Sequence, residues 1–239
     1  MNREFHRWYS PSLGRDMDML IFGHAGASML VFPSSMGKFF EWEDQGMIAA
    51  LGEHIERGWL QLYCVDSIDA DSWYATWKRA GDRAVRHAQY DSYLRNEVLP
   101  LAARRNSSGF VITAGASFGA YHAVTFALRY PDMVGRAVGL SGLYDIRRQT
   151  DGYSDSTVYQ YNPADFVLGE HESARLHALR RLDLILAIGR DDPLRDDNEE
   201  FSRRLWSKGI GHALRTWNGW AHDWPYWRDM IRLYVGGHD

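Results

Sequence analysis

Cysteine is almost absent from this chain. Cys64 stands alone among 239 residues, which excludes an internal disulfide and a cysteine-built zinc site. It lies in a strand-like run, WLQLYCV, so it reads as a buried, inert thiol. No apolar run approaches the length of a membrane span, and the first stretch, MNREFHRWYSPSLGRD, has no apolar signal core; a soluble, cytoplasmic protein is expected. Charge of one sign accumulates nowhere. The net charge is −4 with both signs interspersed, which leaves no electrostatic footprint for nucleic acid or an anionic membrane. Of the ten histidines, His24, His54, His87, His171 and His177 show no paired metal-ligand spacing with cysteine or carboxylates, and no metal is expected. Repeats, low-complexity tracts and linkers are missing too, and residues 1–239 read as one domain with a sizeable core.

Apolar residues are present at 45%, as a globular core requires. Ten Trp and thirteen Tyr are many for this length. They suit pocket walls, a homodimer contact or simply core, and composition does not choose among these. Met17 to Gly23 reads as an early strand at a sheet edge, and ASMLVF (27–32) has the length of a buried strand. Helix is expected over 47–57, strand over 59–65, and a long surface loop rich in Asp, Trp and Tyr over 66–83. A helix over 90–105 contains Pro100, which should kink or interrupt it. Strands follow at 110–113, 136–140, 182–189 and 213–217, and helices at 120–128, 194–208 and 224–235. The polar, turn-rich stretch 144–180 reads as an insertion, a candidate cap. Strands alternating with helices from residue 27 onward predict an α/β fold, with a mainly parallel twisted sheet and helices on both faces.

The chemistry concentrates around GFVITAGASFGAYHAVTFA (109–127). A short β-branched strand, the pentapeptide Gly115-Ala116-Ser117-Phe118-Gly119 and a helix start form the strand–turn–helix of a nucleophile elbow. Gly115 and Gly119 free the turn of Cβ clashes. Ser117 is raised at the end of the sheet beside a helix N-terminus, where developing negative charge is favoured. A serine hydroxyl is a poor nucleophile unless a base is within hydrogen-bond reach and a third group holds that base. In α/β-hydrolases these arrive in the order Ser, acid, His, each on a loop after a strand. Asp191-Asp192 follows the strand LDLILAIG, and His222 follows ALRTW. All three stations lie at carboxyl ends of proposed strands and so face one crevice. His122, on the elbow helix, reads as a packed or capping residue rather than a second base.

The segments GASFGAYHAVTFALRYPDMVGRAVGLSG, YDSYLRNEVLP, IGRDDPLRDDNEEF and GWAHDWPYWR resemble the putative esterase family of the α/β-hydrolase superfamily. That family includes esterase D-type S-formylglutathione hydrolases, feruloyl esterases, siderophore esterases and mycolyltransferases. The resemblance implies an α/β-hydrolase fold for the whole domain. Its Gly-x-x-Asp pattern, counted from Gly189, implies Asp192 as the acid, with Asp191 the neighbouring alternative. Its Gly-x-His-Asp-x-x-x-Trp pattern matches at His222, Asp223 and Trp227, with Trp220-Ala221 where the family has Gly-Gly. It also implies an oxyanion hole from the backbone N–H of Phe118 and of a residue in Phe32-Pro33-Ser34-Ser35-Met36-Gly37. Ser35 is the matching position, with Met36 close behind; many hydrolases have His-Gly where this chain has Pro33-Ser34.

The expected activity is that of a serine carboxylic-ester hydrolase acting through an acyl-enzyme on a small or medium ester, without a cofactor. Ser117, Asp192 and His222 are its triad, and Met36, Trp42, Trp73, Tyr74 and Trp220 are substrate-binding candidates. The alternatives are an acyltransferase using the same triad and a non-catalytic binding relative of the fold.

Overall fold

A computed structural model describes residues 1–237. Eight strands make one sheet in the order β1-β2-β4-β3-β5-β6-β7-β8. The strands are β1 (Arg3–Ser10), β2 (Arg15–Phe22), β3 (Ala27–Phe32), β4 (Leu60–Val65), β5 (Val111–Ala116), β6 (Arg136–Leu140), β7 (Asp183–Gly189) and β8 (Ala213–Trp217). From β4 through β8 all neighbours are parallel, while β1–β2 and β2–β4 are antiparallel. The interior strands are apolar on both faces, as strands covered by helices on both sides must be.

The expected edge strand at 17–23 is β2, and it lies inside the sheet. The edge is β1, whose REFHRWYS carries charge rather than an apolar stripe. Its alternation of exposed and half-buried residues, with Arg3, Glu4 and Arg7, suits an edge that must not pair with another chain.

One face of the sheet is covered by α1 (Glu41–Asp44), α2 (Met47–Ala50), α3 (Gly52–Glu56) and, from the far end of the chain, α11 (Trp224–Tyr234). The other face carries α4 (Ala80–Tyr93), α5 (Leu99–Arg105), α6 (Phe118–Arg129), α8 (Pro163–Gly169), α9 (Ala174–Arg181) and α10 (Arg195–Ser207); α7 (Ser156–Gln160) packs beside α4. Stretch 144–180 is therefore mostly helical. Pro100 sits in the first turn of α5, preceded by a widened π turn over Leu94–Val98. That turn absorbs the backbone bond the proline cannot make. Helix begins at Ala80, ten residues before the periodicity announces it. Cys64 is buried, and burial pushes its thiol pKa up. Among the described residues no helix is long and apolar enough to cross a membrane.

Strand order fixes where a site can form. From β3 the chain moves to β4 on one side; from β5 it moves to β6 on the other. The loops leaving the carboxyl ends of β3 and β5 therefore diverge and open a crevice between them.

Candidate active site

Ser117 occupies the turn between β5 and α6 with φ 54° and ψ −120°, strained for a residue with a Cβ. Its neighbours leave no alternative. A Cβ on Gly115 would lie 2.2 Å from the carbonyl carbon of Gly119, and one on Gly119 would lie 2.5 Å from the carbonyl oxygen of Pro33. The strand end, the helix start and the loop after β3 thus meet at backbone distance. The Ser117 N–H is donated to Leu140 O at 2.7 Å, which ties the turn to the end of β6.

The loop after β7 is stitched to the loop after β8. Arg190 N–H bonds Trp217 O and Asp191 N–H bonds Gly219 O, while a Cβ on Gly189 would lie 2.0 Å from Trp220 O. This contact turns the Asp192 side chain inward and leaves Asp191 exposed. Asp192 is buried. Its Oδ1 accepts Leu194 N–H at 2.8 Å, and its Oδ2 accepts His222 Nδ1–H at 2.7 Å. With its proton held on Nδ1, the imidazole offers Nε2 as the acceptor for the Ser117 hydroxyl, 3.1 Å away. Carboxylate, imidazole and hydroxyl, separated in sequence by 30 and 105 residues, form one hydrogen-bonded chain. Such a chain can take a proton from the hydroxyl and return it to a leaving group.

The His222 loop has supports that sequence reasoning missed. Ala221 has φ 48° and Ser141 φ 51°. The Ser141 hydroxyl donates to Ala221 O at 3.2 Å and accepts from Trp227 Nε1 at 3.1 Å. Trp227 meets the His222 ring edge-on at 5.3 Å, and Trp220 stacks on it at 5.7 Å. The only sequence signal for Ser141 was its place directly after a strand. The Trp220-Ala221 pair, which departs from the Gly-Gly of the family pattern, covers the imidazole with an indole that is 52% exposed.

A crevice of about 220 Å³ opens at Ser117, lined by Ser35, Tyr74, Phe118, Leu143, Arg148, Gln149 and Leu194. Ser35 and Tyr74 thus lie at the site, and the Tyr74 hydroxyl donates to Ser35 Oγ at 2.8 Å; burial raises its pKa. Leu143, Arg148, Gln149 and Leu194 were not anticipated: the first three lie in a stretch without a motif, and the Gly-x-x-Asp pattern points to Asp192 but says nothing of Leu194 two residues on. Trp42 and Trp73 need correction as substrate-binding candidates. Trp42 is buried with Met47, Ala116 and Trp227 beneath the sheet, and Trp73 is wholly buried against Phe118, Tyr121 and Ala84. The Met36 side chain is exposed but does not line the crevice. The segment 66–83 is likewise no surface loop, since Asp66, Asp69 and Trp73 are buried.

In the loop after β3, Ser34 gives its N–H to Glu41 Oε2 at 2.7 Å, and Met36 gives its N–H to Asp69 Oδ2 at 3.0 Å. The N–H of Ser35, between them, has no protein acceptor among the described residues. Across the crevice, Phe118 opens α6, where backbone N–H groups have no partner within the helix.

Several solved structures share the fold. A ferulic acid esterase superposes with a TM-score of 0.78 at 18% identity, covering 98% of this chain and 96% of the other. The S-formylglutathione hydrolase FrmB from Staphylococcus aureus does so with 0.73 at 17%, covering 98% and 96%. MPT51 (FbpC1) from Mycobacterium tuberculosis gives 0.71 at 19%, covering 99% and 97%. No curated protein sequence matches. The family model described as Putative esterase matches residues 61–232, more than two thirds of the sequence and including the ends of β5, β7 and β8. The chain belongs to that family, within the α/β-hydrolase superfamily, and is a serine hydrolase of the carboxylesterase type.

Proposed function

We propose that this protein hydrolyses a small or medium carboxylic ester through an acyl-enzyme on Ser117. The observation that carries the reading is the continuous hydrogen-bonded chain from Asp192 through His222 to Ser117 Oγ. His222 Nε2 takes the Ser117 proton as Oγ attacks the carbonyl carbon, and Asp192 stabilises the resulting imidazolium. The tetrahedral oxyanion is held by the N–H groups of Phe118 and Ser35, which support this reading by having no other acceptor among the described residues. Collapse expels the alcohol with the proton from His222. Water, deprotonated by the same imidazole, then attacks the acyl carbon; the second tetrahedral intermediate releases the carboxylic acid and returns the proton to Ser117.

The walls beyond the triad set the substrate. Leu143, Arg148 and Gln149 come from the stretch that starts just before residue 144, so the 144–180 insertion contributes a side wall of the crevice as a cap within one domain. The volume of about 220 Å³ and the apolar lining by Phe118, Leu143 and Leu194 favour a short acyl group.

The test is turnover of p-nitrophenyl acetate together with labelling by a fluorophosphonate probe. Ser117→Ala should lower kcat by a factor on the order of 10⁴ or more and abolish labelling. Equal turnover in wild type and Ser117→Ala would refute the serine mechanism.

A further inference from the structure

A second buried histidine–aspartate pair lies behind the crevice. Asp69, in a 3₁₀ turn after β4, is completely buried. Its Oδ1 accepts from His122 Nε2 at 2.9 Å, and its Oδ2 accepts the Met36 N–H at 3.0 Å. His122, on α6 five residues after Ser117, has a side chain only 2% exposed. Its ring meets the Phe118 ring edge-to-face, with centroids 5.0 Å apart, and stacks on Phe32 at 6.0 Å. A carboxylate taken wholly out of water costs several kcal/mol unless it is well paired, and here one oxygen is spent on the loop after β3.

We infer that Asp69 and His122 are positioning residues that set the two halves of the oxyanion hole against each other. The inference rests on the oxyanion roles of Ser35 and Phe118 given above. Met36 sits at φ 60°, a left-handed conformation that a non-glycine side chain disfavours. The Asp69 bond holds it there and fixes the Ser35–Met36 peptide, which adjoins the Ser34–Ser35 peptide that carries the Ser35 N–H. His122 carries the same carboxylate's second bond back to α6 and packs on Phe118, the other donor. The two donors come from loops on different strands, and this pair joins those loops through side chains. Glu41 on Ser34 and Asp66 on Phe39 N–H at 3.3 Å anchor the ends of the loop after β3; Asp69 grips its middle.

The closing experiment compares Asp69→Ala, Asp69→Asn and His122→Phe with wild type on p-nitrophenyl acetate. Asn can keep both contacts. Its oxygen accepts the Met36 N–H, and its amide donates to Nε2 if the His122 proton moves to Nδ1, which has no hydrogen-bond partner among the described residues. Loss of a whole oxyanion donor costs about 10²–10³ in kcat; misplacing one should cost Asp69→Ala about 10–100-fold, with KM within about threefold. Affinity for a boronic acid, which forms a tetrahedral adduct, should fall in step with kcat. The acid limb of the kcat/KM pH profile should not move. Asp69→Asn should stay within about threefold of wild type in kcat. A folded Asp69→Ala with kcat within threefold of wild type, an Asp69→Asn loss as large as that of Asp69→Ala, or a displaced acid limb would each overturn the proposal. If circular dichroism shows Asp69→Ala unfolded, His122→Phe decides: a fall in kcat at unchanged KM supports the pair, and an unchanged kcat overturns it. Ser117→Ala run alongside separates the two readings. Its inactivity beside a fully active Asp69→Ala removes only the positioning role, whereas an active Ser117→Ala removes the serine mechanism itself.

Discussion

At the scale of single residues, the site turns on which of two adjacent aspartates faces the histidine. Asp191 and Asp192 differ by one position after β7, and residue chemistry does not distinguish them. The Asp191 N–H bond to Gly219 O and the absence of a Cβ at Gly189 rotate the loop so that Asp192 points inward. Two acceptor contacts, to Leu194 N–H and His222 Nδ1–H, then fix its carboxylate. Asp192→Asn keeps the shape but its amide group favours the wrong imidazole tautomer, so kcat should fall by about 10⁴. Asp191→Ala, at an exposed position, should leave kcat within about twofold. Steady-state kinetics on one chromogenic ester checks both, and an Asp191→Ala loss comparable to that of Asp192→Asn would reverse the assignment. The Gly-x-x-Asp spacing anticipated the inward residue without supplying the reason for it.

At the scale of elements, the carboxyl ends of the strands hold most of the backbone strain. Met36 after β3, Ser117 after β5, Ser141 after β6 and Ala221 after β8 all have positive φ without being glycine. Each is held by a neighbouring loop, and together they aim the site's groups at one point. Strain of this kind costs on the order of 1–3 kcal/mol per residue and persists only where the surroundings over-determine it. The elbow depends most on close approach. Gly119→Ala would put a Cβ 2.5 Å from Pro33 O and 2.6 Å from Phe32 O, both backbone atoms that cannot swing aside. We expect α6 to be pushed from the loop after β3, with a loss of about 1–3 kcal/mol of stability and a fall in kcat as Phe118 and Ser35, the proposed oxyanion donors, separate. Thermal unfolding and kinetics on the same sample test this; an unchanged melting temperature would show that the helix start can yield. Pattern reading located these strands well because their apolar runs are long. It missed β1 because an exposed edge strand carries no apolar signal, and it missed the helical start at Ala80 because the apolar positions of 80–89 are only Ala, Gly and one Val, too small to mark an apolar stripe.

At the scale of the molecule, buried titratable groups tie stability to pH. His87 lies in an aromatic cage formed by Trp73, Tyr90, Tyr121, His122 and Tyr161. Burial first, then the neighbouring His122 and Arg129, hold its pKa well below 6.5. The unfolded chain binds this proton at a higher pH than the folded one does. The contribution is therefore complete above about pH 6.5 and is lost as pH falls below that value, by up to about 1.4 kcal/mol per pH unit. Burial also raises the carboxyl pKa values of Glu41, Asp66 and Asp197. Those groups act with the opposite sign, adding stability as pH falls through their folded values. His87→Phe removes only the histidine contribution, so its melting temperature should decline less than that of wild type between pH 7 and pH 5. Parallel slopes for the two proteins would show that His87 takes up its proton without cost.

The sequence by itself determined the alternation of strand and helix, the elbow around Ser117 and the chain order of acid and base. Those are local facts, set by apolar periodicity, by glycine where backbones nearly touch, and by which residues follow which strand. The tertiary structure decided the rest: that Asp192 and not Asp191 meets His222, that Trp42 and Trp73 are core while Tyr74 faces the crevice, and that Asp69 and His122 close a second polar contact behind it. The physical reason is the same throughout. Each of these depends on which side of a loop a side chain leaves, and that is fixed by neighbouring loops that the sheet, not the sequence interval, brings together.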